Sequence, residues 1–102
     1  MIYNRWEIWN ATVAYEDNPN VSKRRPVVIL GYQEVSVIAL KITGTERPVY
    51  KIANWFESGL YKQSYIICDV KIKLEDRDFQ DKLGVLHPDD ILKLTEYLKK
   101  QP

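Results

Sequence analysis

Residues 25–43 read RPVVILGYQEVSVIALKIT. Two β-branched runs, 25–32 and 35–43, are separated only by the few residues around Gly31 to Glu34, which is the pattern of a tight antiparallel hairpin. Pro26 is tolerated only at a strand start or edge, because it has no N–H to contribute to a ladder. The residue before it, Arg25, closes the basic stretch SKRR (22–25) at the mouth of a strand that reads as fully buried.

Working outward, RWEIWNATVAY (5–15) alternates, with Trp6, Ile8, Asn10 and Thr12 on one side and Trp9, Ala11, Val13 and Tyr15 on the other. EDNPNVSK (16–23) and GTERP (44–48) have loop composition, and a short strand is expected over 49–53. NWFESGL (54–60) reads as a helical turn closed at Gly59, since glycine accepts the left-handed conformation of a C-cap. SYIICDVKIKL (64–74) alternates again as one strand with Lys71 and Lys73 toward water, and EDRDFQDK (75–82) reads as an acidic, polar loop. HPDDILKLTEYLKK (87–100) is the best helix in the chain. Pro88 suits its first position, Asp89 and Asp90 its positive end, and Lys99 and Lys100 its negative end. His87 reads as its cap, and Ile91, Leu94, Thr95 and Leu98 form a stripe that docks on the sheet. The expected fold is mainly β (α+β): one domain over 1–102, with five to seven short strands in a strongly bent, partly open barrel and a C-terminal helix.

Composition narrows the function classes. A chain of 102 residues with 45% hydrophobic content can bury a modest core. The formal net charge of +1 names no partner, so any nucleic-acid contact must come from a local patch. Cys68 stands alone, so no internal disulfide forms and a reducing compartment is expected. No N-terminal signal pattern and no apolar run near ~18 residues appear, so a cytoplasmic protein without membrane contact is expected. The one Cys and one His are far apart, and the four glycines complete no phosphate-cradling motif. No metal and no cofactor are therefore expected. What remains is a set of Arg, Lys, Thr, Ser and Asp residues at strand ends, which is how phosphate sites without metals are built.

Six blocks in order, RWEIWNATVAY, RRPVVIL, VIALKITGTERP, YKIANWFESGLYKQS, IICDV and LGVLHPDDILKLTEYL, resemble the successive blocks of the PemK/MazF family of toxins over nearly the whole chain. The resemblance implies an SH3-like barrel and a toxin–antitoxin endoribonuclease cleaving single-stranded RNA. It also implies a homodimer and neutralisation by an antitoxin protein. Carried over residue by residue, the family's active-site arginine before the Pro of its RPV block falls on Arg25, and its catalytic threonine falls on Thr43. The family's first strand begins Arg-Gly-Glu-Ile-Trp, and here Trp6 takes the glycine's place. An Arg-x-Asp pair found in some members becomes Ile67-Cys68-Asp69, keeping the aspartate and losing the arginine, which shifts the weight to Arg25 and Thr43.

RNA carries its own nucleophile, so a ribonuclease needs only to align the 2′-hydroxyl, stabilise the phosphorane charge and manage two protons. The guanidinium fork of Arg25 suits the second task, and the Thr43 hydroxyl can donate to the same phosphate. Glu16, Asp17 and Asp69 stand as candidates for acid and base. Lys23, Arg24, Lys41, Gly44 and Thr45 are the positions expected to hold the RNA backbone. Trp9, Tyr15, Trp55 and Tyr61 are candidates for stacking on unpaired bases. Two further readings stay open: a catalytically inactive RNA- or peptide-binding module of the same fold, and a structural partner protein with a basic interaction loop.

Overall fold

The structure, a computed structural model, describes residues 2–15, 17–45 and 50–100. The hairpin read from the sequence is the middle of its sheet. β2 (Ser22–Gln33) and β3 (Ser36–Thr43) pair antiparallel down to Gln33↔Ser36, so the turn is Glu34 and Val35, with Glu34 left-handed at φ 58°. Gly31 lies instead at a register shift after Ile29, the mark of a bulge. β2 starts three residues before Arg25. Residues 22–26 pair only with β1 (Glu7–Ala14), while pairing with β3 begins at Val27↔Lys41. Pro26 is thus inside the ladder on one side of β2 and at an edge on the other, where a residue without an N–H fits.

Beyond β3, the stretch expected as one strand over 64–74 is two. β5 (Tyr65–Ile66) lies beside Ile42 and Thr43, and β6 (Ile72–Leu74) beside Val37, Ile38 and Ala39. β4 (Tyr50–Lys51) pairs with β5 at the end of the sheet. The larger departure is β7 (Phe79–Val85), an edge strand on β1 where the sequence reads as a loop. Polar cross-strand pairs hold it: Gln80 Nε2 donates to Thr12 Oγ1 at 2.9 Å, and Lys82 Nζ stands 2.9 Å from a Glu7 carboxylate oxygen. Such pairs leave no trace in local hydropathy.

β6 and β7 flank opposite edges of the β3–β2–β1 meander, yet only residues 75–78, with a 3₁₀ turn at Asp76–Asp78, join them. A flat sheet would set those edges roughly 19 Å apart at ~4.8 Å per strand, too far for a turn rising ~2 Å per residue. The sheet therefore curls, and it stays open, because its path ends at β4 and β7. On one face α1 (Pro88–Lys99) docks Leu94, with Ile91 and Leu98, onto Ile8, Val28, Leu40 and Ile42. The other face buries Ala11, Val13, Val27 and Ala39 against Leu74 and Phe79. His87 caps the helix as expected, its Nδ1 accepting from the Asp89 N–H at 3.2 Å. Among the described residues no helix is long and apolar enough to cross a membrane.

Two described residues, Trp6 and Gly59, hold strained or turn-closing backbone conformations. Trp6 has φ 73°, a conformation that favours glycine. It is held there by its N–H on the Ile29 carbonyl at 2.7 Å, by the Leu86 N–H on its own carbonyl at 2.8 Å, and by the Arg5 guanidinium 4.7 Å above its ring. Gly59, at φ 92°, closes the 54–60 turn as a Schellman cap: its N–H donates to the Phe56 carbonyl and the Leu60 N–H to the Trp55 carbonyl. A Cβ there would also overlap the Leu83 carbonyl of β7. Gly59→Ala is expected to cost about 2 kcal/mol from backbone strain and the forced shift, lowering Tm by roughly 10 °C in thermal unfolding. An unchanged Tm would show that the turn is not locked against β7.

Candidate active site

The β2–β3 pairing that begins at Val27↔Lys41 leaves a fork on its other side. There β2 continues along β1 as Lys23, Arg24, Arg25 and Pro26, while β3 turns to β5 through Ile42↔Ile66 and Thr43↔Tyr65. Extended by two residues, the same register sets Arg25 opposite Thr43. Both line one small cleft of about 160 Å³ in the fork, with Lys23, Arg24 and Gly44 beside them. The fork and the proline belong together. A residue with no N–H cannot extend the β2–β3 ladder, so the two strands part just before Val27.

Three features shape the chemistry of this cleft. Arg25 is half-buried and faces Ala11 on β1, a partner too small to cover it. The Thr43 Oγ1 accepts the Thr45 N–H at 3.2 Å, which orients the hydroxyl and leaves its own hydrogen to donate. Segment 60–64, which leads into β5 beside Thr43, also lines the cleft through Leu60, Tyr61, Lys62 and Ser64. Four cations, Lys23, Arg24, Arg25 and Lys62, therefore line the cleft, and none of the described residues lining it is acidic. Among the described residues no carboxylate pairs with any of the four. On a chain of net charge +1, this is a local concentration of positive charge.

The remaining site residues expected from the sequence divide. Thr45 is exposed and enters only through its N–H on Thr43. Lys41 is 7% exposed and is not among the residues lining the cleft; its carbonyl accepts the Ile67 N–H at 2.9 Å. Burial of its strand position accounts for that, since Lys41 lies opposite Val27 above the second core. Asp69 lines a separate cleft of about 950 Å³ with Arg5, Tyr32 and Lys71, so it does not share a pocket with Arg25. Asp17 is exposed in the β1–β2 loop and lines neither cleft, and Glu16 lies outside the described residues.

Of the aromatics, Tyr61 is 83% exposed at the cleft wall. Trp9 packs against Tyr3 and Phe79 and donates its indole N–H to Glu7 at 3.0 Å, and Trp55 packs on the helix-side core. Lys62 is the cleft residue that sequence reading left without a role. Its only signal there is its place in the block YKIANWFESGLYKQS. Among the described residues no three His, Cys, Asp or Glu side chains gather as a metal site.

Buried carboxylates elsewhere hold the scaffold. Burial would raise the pKa of Glu7, but the Asn4 amide, the Trp9 indole and Lys82 outweigh it and hold the carboxyl at about 2. Asp90, with no exposed surface, accepts from the Tyr50 hydroxyl at 2.7 Å, the Ala53 and Asn54 N–H groups at 2.9 and 2.8 Å, and Asn54 Nδ2 at 3.1 Å. It ties the first turn of α1 to the segment leading into the cleft wall.

No protein-family model and no curated protein matches the sequence at a significant level. Among solved structures, the Mycobacterium tuberculosis toxin MazF-mt6 is similar, with a TM-score of 0.66 and 22% identity over 88% of this chain and 91% of that one. The chain has the fold of that toxin: a bent, open antiparallel sheet with a C-terminal helix.

Proposed function

We propose that the chain is a toxin-like endoribonuclease that cleaves single-stranded RNA without a metal ion. The observation that carries this reading is one cleft, free of acidic residues among those described, that holds both Arg25 and Thr43 in a fold shared with a toxin. The 2′-oxygen attacks the adjacent phosphorus, the P–O5′ bond breaks, and a 2′,3′-cyclic phosphate and a 5′-hydroxyl remain. The proton of the 2′-hydroxyl leaves to a base and the departing 5′-oxygen takes one up. Arg25 donates two charge-assisted bonds to the non-bridging oxygens as their charge grows, and Thr43 donates a third. Lys23 and Arg24 hold the flanking backbone. The chain acts as one cytoplasmic domain, paired with a second copy, and an antitoxin protein with an acidic segment neutralises it by taking the place of RNA in the cationic cleft.

One observation favours the alternative of a catalytically inactive RNA-binding module. No carboxylate or imidazole is among the described residues lining the cleft, so none of those residues is a ready proton carrier for Arg25 and Thr43. Incubating the purified chain with single-stranded RNA in excess EDTA separates the readings. Cleavage is expected, with cyclic phosphate ends, and one 2′-deoxynucleotide placed at the cut position is expected to reduce cutting there to background. Binding without any cutting would establish the module; cutting that survives the missing 2′-hydroxyl would rule out the proposed attack.

A further inference from the structure

We infer that Lys62 binds an RNA phosphate next to Thr43, and that the missing side chain of Gly44 is what lets its ammonium lie there. This rests on the nuclease reading above and adds a residue and a positioning device to it. Gly44 has no conformational need to be glycine, because among the described glycines only Gly59 has a positive φ. Its hydrogen instead leaves room. A Cβ on Gly44 would stand 2.6 Å from Lys62 Nζ and closer still to Cε, so the far end of Lys62 lies across the backbone of the residue after Thr43. Tyr61 flanks the ammonium, with its ring centroid 5.7 Å from Nζ.

A surface lysine that lies on a glycine gives up rotamer freedom. No carboxylate among the described residues compensates Lys62 for it. The arrangement makes physical sense for an outside anion, since the same ammonium faces the cleft that Arg25 and Thr43 line. Strands β2 and β3 supply Arg25 and Thr43, while Lys62 comes from the segment before β5, so a phosphate in the cleft meets donors from three separate segments of the chain.

Gly44→Ala is the informative variant. The group that must move is the end of a flexible side chain, so the fold survives, and loss of chain entropy in the unfolded state leaves the thermal midpoint unchanged or slightly raised. The probe is a single-stranded oligonucleotide of uniform 2′-deoxy composition, which keeps every phosphate and cannot be cut. Lys62→Ala is expected to weaken binding about tenfold at low salt, as for one lost charge-assisted bond. It should also reduce the slope of log K against log salt by about 0.7. Gly44→Ala is expected to shift affinity and slope in the same direction without lowering the midpoint, and Lys62→Arg to restore most of both. With RNA, the loss should fall on KM more than on kcat.

Slopes that are equal for wild type and Lys62→Ala, in a wild type that binds, would overturn the role of Lys62 and leave the nuclease reading standing. Wild-type binding by Gly44→Ala would overturn the positioning by Gly44. A wild type that neither binds nor cuts removes the nuclease reading and this inference together.

Discussion

Replacing Arg25 by alanine is expected to slow RNA cleavage by roughly 10²- to 10³-fold, as for the loss of one preorganised donor to a developing oxyanion, with little change in stability. The side chain leaves a strand whose backbone is paired to β1 at Ala11↔Arg25, and Pro26 fixes the next φ, so the guanidinium starts from a rigid platform. Its planar fork gives two parallel bonds to non-bridging oxygens, which a lysine cannot reproduce. Arg25→Lys is therefore expected to recover only a minor part of the rate. Single-turnover cleavage at saturating protein isolates this effect from binding, and Tm measured alongside reports on the fold. Cleavage by Arg25→Ala within a few-fold of wild type, with Tm unchanged, would remove the centre of the proposed mechanism.

The largest stability effect is expected at Asp90. Asp90→Ala leaves the Tyr50 hydroxyl, the Ala53 and Asn54 N–H groups and Asn54 Nδ2 without their acceptor in a buried site. A loss of roughly 3–5 kcal/mol follows, since each stranded donor costs about 1–3 kcal/mol and part of the site relaxes toward water. Asp90→Asn keeps the shape but offers one accepting oxygen where two now serve, so it is expected to lose a smaller share. The pH dependence separates this from simple loss of packing. Burial would push the Asp90 carboxyl up, but the Tyr50 hydroxyl and the amides of Ala53 and Asn54 outweigh it and hold its pKa below the ordinary value of 3.8.

A carboxyl whose pKa is depressed on folding stabilises the native state fully above its unfolded pKa, about 3.9, and ceases to do so as pH falls through the folded value. The gap in urea midpoint between wild type and Asp90→Asn should therefore be wide and flat at neutral pH and close progressively below about pH 4. Glu7, held at about 2 by its donors, adds to the acid sensitivity of both proteins in the same window. A gap that is independent of pH down to acid unfolding would show that the carboxylate charge is not what ties α1 to residues 50–54.

The β2–β3 hairpin, the capped helix and the closing role of Gly59 were legible in the sequence because each is written in a few neighbouring residues. β-branched runs either side of a short break specify the hairpin, His87-Pro88-Asp89-Asp90 the helix start, and the glycine of NWFESGL the end of a turn. The expectation that Arg25 and Thr43 share a site came through the resemblance, and both line the cleft in the fork between β2 and β3. Tertiary structure alone decided the rest. β7 is fixed on β1, about seventy residues away, by the contacts of Gln80 and Lys82 together with Phe79 packed on Trp9. β3 has room along one edge for two short strands in place of one, which splits 64–74 and carries Asp69 to another cleft. Lys41 and Lys62 are both lysines, yet the first is buried in β3 opposite Val27 and the second lies against Gly44. Local sequence encodes torsional preference and hydrophobic period, whereas which polar side chains converge depends on strand register and curvature, set by contacts between residues far apart in the chain.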